Sequence, residues 1–291
     1  MLFGIIGGDR RQEELLALLR RDGYTVAACG VAGEMDWDAA VAAEVVILPL
    51  PLCKEGDTLN IEGPRRGAGA LFRQLRRDQL ILAGQVKPAQ AALAAELDLK
   101  LVDYFRREEL TVANAAATAE GTVQVILERL ERSLLGSRCL VLGFGRIGKL
   151  LARKLKALGA DVTVSARKAQ ALDLARILGY RRVTAGSWAD APAQYDGIVN
   201  TIPAPIIGPA QLPCIRRDCV LLELASLPGG FCAEAQALPG YCAARGLPGK
   251  YAPEAAAAII RSAIFRNLNL EEACLFILSG HRCANHLFLI R

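Results

Sequence analysis

Three glycines, Gly143-x-Gly145-x-x-Gly148, have the spacing in this chain that most plainly implies chemistry. Four apolar residues, Cys139 to Leu142, precede them, and an amphipathic helical pattern follows over 149–158. In a strand–turn–helix the first glycine permits the tight turn. The second lets a pyrophosphate approach the backbone, and the third lets helix and strand pack closely. Arg146 and Ile147 lie between them, where the unpaired N–H groups and positive dipole of a helix start favour an anion. Gly143, Gly145, Arg146, Ile147 and Gly148 therefore predict a dinucleotide site. The end of the next strand selects the dinucleotide. It reads Val164-Ser165-Ala166-Arg167-Lys168, with no carboxylate between 162 and 172. A carboxylate there would bind a ribose 2′-hydroxyl and repel a 2′-phosphate, whereas an Arg grips phosphate bidentately. Ser165, Arg167 and Lys168 predict NADP over NAD.

Two more loops follow strand patterns, Asn200-Thr201-Ile202-Pro203 and Leu224 to Gly230. Ligands of open α/β sheets lie beyond the carboxyl ends of strands. Thr201, Ile202 and Pro203, with the second loop, are thus expected to wall the nicotinamide. A proton-transfer group is less evident. The two histidines are His281 and His286, whereas 2-hydroxy-acid dehydrogenases, which share a two-domain layout, need a His as general acid/base. Lys, Glu, Asp, Tyr and Cys remain, and Lys250, in the loop GLPGK, stands out because lysine is scarce. Cys274, His281, Cys283 and His286 fit no zinc spacing, so no metal is expected.

Parallel strands must position these loops. Strand patterns at Leu2 to Ile6, Tyr24 to Cys29, Val45 to Leu48, Gln79 to Ala83 and Leu99 to Asp103 precede the glycine motif, with a helix over 88–97 and a loop over 50–70. A helix from Thr118 to Leu130 leads to the second half. There, strands fit Asp161 to Ala166, Gly197 to Asn200 and Val220 to Leu224, and a last helix covers 253–266. The alternation predicts an α/β protein of two Rossmann-like/flavodoxin-like parallel-sheet domains with an inter-domain cleft. The expected divisions are a substrate-side domain (1–112), a linker helix (113–135), a Rossmann NADP domain (136–251), a C-terminal helix (252–268) and an apolar tail (269–291). An apolar fraction of 53% excludes a disordered chain. The net charge of +5 is spread in Arg pairs, so no nucleic acid is expected. No stretch of 18 uncharged apolar residues occurs, so no membrane span is expected. Nine cysteines without a CxxC pair or a signal peptide predict reduced thiols and a cytoplasmic location.

The segments IIGGDRRQ (5–12), ATAEGT (117–122), LGFGRIGKLLARKLKALGADVTVSAR (142–167), NTIP (200–203), LASLPGG (224–230) and GLPGKYAPEAAA (246–257) occur in an order that resembles the dipicolinate synthase A subunit family. The resemblance covers roughly residues 1–267. It implies oxidation of dihydrodipicolinate, a small dicarboxylate, to dipicolinate with hydride transfer to NADP. The implied setting is the mother cell of a sporulating bacterium, in a branch of lysine-pathway origin. The implied partner is the smaller B subunit of dipicolinate synthase; a homodimer is also compatible. Matching motifs carry over Asp9, Arg11 and Gln12, with Asn114 and Thr118, as substrate-side residues, and Glu120 and Ser226 join Lys250 as catalytic candidates. Gly7-Gly8 before a helix start would make a second anion site, with Arg11 as a carboxylate clamp. A dipole-complementing role at a helix N-terminus is the structural alternative for Glu120. Leu227 stands where many relatives have a basic residue, and Glu223 where many have Asp. Two other functions fit these residues: a shikimate-dehydrogenase-like or hydroxy-acid NADP oxidoreductase using Lys250, and a non-catalytic nucleotide-binding protein that positions the B subunit.

Overall fold

A computed structural model describes residues 1–189 and 195–268. The chain divides into two compact units, one formed by Met1–Leu110 and the segment from Ala257, the other by Thr111–Ala256.

The first unit runs β1 (Leu2–Ile6), α1 (Arg10–Arg21), β2 (Thr25–Val31), β3 (Glu34–Met35), α2 (Trp37–Ala42), β4 (Val45–Ile47), β5 (Cys53–Glu55), β6 (Thr58–Leu59), α3 (Ala68–Phe72), β7 (Leu80–Ala83), α4 (Pro88–Glu96) and β8 (Lys100–Asp103). Its main sheet has the order β3-β2-β1-β4-β7-β8. All pairs are parallel except β2 with the short β3. The parallel strands thus follow the flavodoxin order. Burial of both faces explains the continuous apolar runs. Phe3 and Ile5 enter one core with Leu15, Leu19, Ile47 and Tyr104, while Ile6 enters the other with Val46, Leu48 and Phe72. The expected loop over 50–70 instead contains the β5–β6 hairpin and the start of α3.

The helix α5 (Glu108–Arg129) leads into the second unit. It starts ten residues before Thr118, with Glu108 and Glu109 complementing its N-terminal dipole. Then come β9 (Arg138–Leu142), α6 (Arg146–Ala157), β10 (Asp161–Ala166), α7 (Ala169–Ile177), β11 (Arg181–Thr184), β12 (Gly197–Asn200), β13 (Val220–Glu223), α8 (Ala233–Gln236), β14 (Tyr241–Ala243) and α9 (Leu247–Tyr251). The sheet is parallel throughout, in the Rossmann order β11-β10-β9-β12-β13-β14. Cys139 and Val141 face a core shared with Leu151, Leu155, Val125 and Ile126, while Leu140 and Leu142 face Trp188, Ile198 and Leu221. The last helix, α10 (Pro253–Asn267), packs Ile260, Ile264 and Phe265 into the core of the first unit. The C-terminal helix expected over 252–268 thus forms, and from Ala257 on it belongs to the first unit. The 269–291 tail, with Cys274, His281, Cys283 and His286, lies outside the described residues.

Candidate functional site

The glycine turn is built at the carboxyl end of β9, a central strand. Gly143 has a φ of +99°, and a Cβ there would lie 2.9 Å from Ile202 Cγ1. Its N–H donates to the Ser165 carbonyl oxygen at 2.9 Å, locking the turn to β10. Thr201 closes the other side, donating from Oγ1 at 2.8 Å and from N–H at 2.9 Å to the Leu142 carbonyl oxygen. A Cβ at Gly148 would collide with the carbonyl of Gly143, so this glycine sets how closely α6 approaches β9. Gly145 differs. Its φ of −81° and ψ of −160° suit any residue, and a Cβ there would meet nothing within 4 Å. It is the N-cap of α6, and no side chain caps this helix. Two of the glycines are thus demanded by the fold, and the third leaves open space before uncapped helix amides. This donor set fits a pyrophosphate.

The structure brings Gly143, Gly145, Gly148, Ser165, Thr201 and Ile202 together around this turn. Ile147 is half-buried against the core of the second unit, and Arg146 is exposed. Arg167 and Lys168 are exposed where β10 leads into α7, and Pro203 is exposed beyond Ile202. No carboxylate lies on the stretch from Val162 to Leu172.

Beneath the 200–203 and 224–230 loops is a polar group that sequence reasoning missed. Asn200 ends β12 and Glu223 ends β13, opposite one another in register. Both are buried, and Asn200 Nδ2 donates to Glu223 Oε1 at 2.8 Å. The available signal was a single polar residue closing each of two apolar strands, GIVN and VLLE. Above them Ser226, Leu227 and Pro228 are exposed.

The first strand–glycine–helix opening is closed from within, contrary to the expected anion site. Gly7 N–H donates to the Cys29 carbonyl at 2.8 Å and Gly8 N–H to the Asn60 carbonyl at 2.7 Å. Asp9 N–H donates to Gln12 Oε1 at 3.1 Å and the Asp9 side chain accepts from Gln12 N–H, a capping box, while Asp9 Oδ1 also accepts from Arg11 N–H at 3.0 Å. Arg11 is not a free clamp. It is 5% exposed, binds both carboxylate oxygens of Asp9 at 2.8 and 2.7 Å, and also donates to the Leu50 carbonyl. Burial pushes the Asp9 carboxyl upward, but the hydrogen bond, charge and backbone N–H of Arg11 prevail and hold it below its ordinary value.

The other candidates do not gather at the turn. Thr118 Oγ1 donates to the Asn114 carbonyl at 2.7 Å, a bond within α5. Glu120 lies in mid-helix, not at a helix start, so it complements no dipole; it pairs with Lys154 Nζ at 2.9 Å on an exposed face. Lys250 Nζ lies 4.8 Å from the Tyr251 ring centroid. A hydrogen bond that it donates to Tyr251 raises its ammonium above the ordinary value, the wrong direction for a base at neutral pH. The cysteines of the described residues are free thiols. Burial pushes Cys139 and Cys219 up to about 12 and Cys53 up to about 11, so they are poor nucleophiles. Among the described residues no group of three His, Cys, Asp or Glu side chains is placed to hold a metal ion. No helix among them is long and apolar enough to cross a membrane.

Residues 2–105 match the family model for the N-terminal domain of the dipicolinate synthase A subunit. Residues 105–206 match the D-isomer specific 2-hydroxyacid dehydrogenase, NAD binding domain. The second unit is accordingly a dehydrogenase-type domain for a nicotinamide dinucleotide. The chain is similar to the dipicolinate synthase A subunit of Bacillus subtilis (strain 168), with 27% identity over 282 residues, covering 91% of this chain and 94% of that protein. The crystal structure of the dipicolinate synthase A subunit from Bacillus halodurans matches with a TM-score of 0.79 at 24% identity, covering 92% of this chain and 97% of that one. The corresponding crystal structure from Bacillus subtilis matches with a TM-score of 0.76 at 25% identity, covering 94% and 97%.

Proposed function

We infer that this chain, which resembles the dipicolinate synthase A subunit over nine-tenths of its length, is an NADP-dependent dehydrogenase that oxidises dihydrodipicolinate to dipicolinate. The observation that carries the reading is the uncapped N-terminus of α6 above Gly145, at the centre of a Rossmann-ordered sheet. Amides of the 143–148 turn would hold the pyrophosphate. Arg167 and Lys168, with Ser165 behind them, would hold the 2′-phosphate. Thr201, Ile202, Pro203 and the loop bearing Ser226 would orient the nicotinamide, which when bound supplies the hydride acceptor.

The oxidation removes one hydride and one proton from a dihydropyridine ring and leaves an aromatic ring. Aromatisation drives the step, so positioning matters more than a strong base. This suits a chain whose candidate base, Lys250, is exposed beside the Tyr251 ring. Partnership with the smaller B subunit goes with the reading, as do a cytoplasmic location and a role in sporulation. NADP and NAD titrations of the purified chain, followed by dihydrodipicolinate-dependent NADP reduction with the B subunit present, test it. No dinucleotide binding, or no turnover by the complete pair, would overturn it.

A further inference from the structure

We propose that Glu223 and Asn200 are positioning residues that lock the two nicotinamide-side loops into one frame and so set how tightly the nicotinamide half of the cofactor is held. The proposal rests on the dinucleotide-site reading given above. One buried carboxylate collects three donors from the two loops. Glu223 Oε1 accepts from Asn200 Nδ2 at 2.8 Å and from Ala225 N–H at 2.9 Å, while Oε2 accepts from Gly230 N–H at 2.6 Å. The Asn200 amide then grips both main-chain groups of Ile202. Its Nδ2 donates to the Ile202 carbonyl at 2.9 Å, and its Oδ1 accepts from Ile202 N–H at 3.0 Å. The carbonyl of Gly230 accepts from Ile206 and Ile207 N–H at 3.0 and 2.9 Å, tying the loops a second time.

The hub also explains the paired glycines of the second loop. A Cβ at Gly229 would lie 2.8 Å from Glu223 Oε2, and one at Gly230 would collide with Asn200 Nδ2. Glu223 is 1% exposed, and these partners are neutral donors. Burying a carboxylate is costly, and apolar side chains would fill two strand ends at less cost. What the carboxylate adds is geometry, because both loops are fixed to one rigid group.

Glu223→Gln keeps the volume but turns one acceptor into a donor, which must face either Gly230 N–H or Asn200 Nδ2 and Ala225 N–H. The full-length chain is titrated with whichever of NADPH and NADH it binds better, and with the matching nicotinamide-free half, 2′-phospho-ADP-ribose or ADP-ribose. The variant is expected to bind the whole dinucleotide about tenfold more weakly and the half-molecule within about twofold of the wild type. Should Glu223→Gln not fold, Gly230→Ala, which keeps every polar partner, is expected to give the same split. Equal loss of both ligands, or loss of neither, would overturn the proposal. A wild-type chain that binds neither ligand instead removes the dinucleotide reading itself.

Discussion

On the proposed reading, Arg167 is the side chain on which the choice between NADP and NAD would turn. It is exposed at the end of β10, and its guanidinium can meet a 2′-phosphate that NAD lacks. Arg167→Ala is expected to weaken NADP binding roughly ten- to a hundredfold, the range of a charge-assisted contact, and to leave NAD within about twofold. Fluorescence titration with both cofactors checks this; equal losses would mean that Arg167 does not read the phosphate. Arg11 has a different part. Removing it strips Asp9 of its cation and the Leu50 carbonyl of a donor. Arg11→Ala should cost about 2 kcal/mol, low for a broken ion pair because the Asp9 side chain is 41% exposed. The pH dependence has a fixed sign. A carboxyl whose folded pKa is depressed stabilises the fold above its unfolded pKa, about 3.9 for Asp, and loses that contribution as pH falls through the folded value. The difference between wild type and Arg11→Ala in urea unfolding should therefore shrink below about pH 4. At this scale the sequence was legible for Gly143 and Gly148, whose jobs follow from spacing. It was not legible for Glu223 or Arg11, since nothing in a linear order says which polar side chain is buried or which distant carbonyl it meets.

Two helices of similar origin meet opposite fates. α1 and α6 both follow a strand and a glycine turn, yet α1 is capped by its own Asp9 and Gln12 and closed by Asn60, about fifty residues away in the chain. α6 begins at an uncapped Gly145. Local pattern cannot tell these apart, because the closing carbonyl comes from the loop after the β5–β6 hairpin. The difference predicts a trade-off. Gly145→Asp places a good capping residue in a permitted conformation with room for its Cβ. It should hold or raise the melting temperature by about 1–2 °C. The same carboxylate would oppose a pyrophosphate, so dinucleotide binding should fall beyond detection. A thermal melt beside a titration checks both, and a variant that binds normally would show that α6 is not the phosphate end. The central strands β1, β9, β10 and β12 were readable as apolar runs. The edge strands β11, with Arg181 and Arg182, and β14, with three residues, lack the alternation or length that marks a strand.

At the scale of the molecule, chain order misleads about ownership. The last described helix follows the Rossmann domain in sequence, but from Ala257 on it belongs to the first unit. Ile260, Ile264 and Phe265 lie in a core with Phe3, Leu15 and Leu19. Arg261 Nε reaches Asp22 Oδ2 at 2.6 Å, with both side chains buried. An amphipathic run of Ala and Ile carries no address for the face it covers, which is why the sequence placed it in neither domain. The assignment makes a local prediction. Ile264 is fully buried, so Ile264→Ala should destabilise the first unit by about 2–4 kcal/mol through lost burial and the cavity left behind. The chain holds two tryptophans, Trp37 in the first unit and Trp188 in a core of the second. Paired with Trp37→Phe or Trp188→Phe, each background reports one unit. Ile264→Ala should lower the urea midpoint seen by Trp37. It should leave the Trp188 midpoint and dinucleotide binding nearly unchanged, because the glycine turn and its partners lie wholly within residues 111–256. If both tryptophans shifted together, the two units would unfold as one cooperative body, and α10 would stabilise the dinucleotide domain as much as the one whose core it fills.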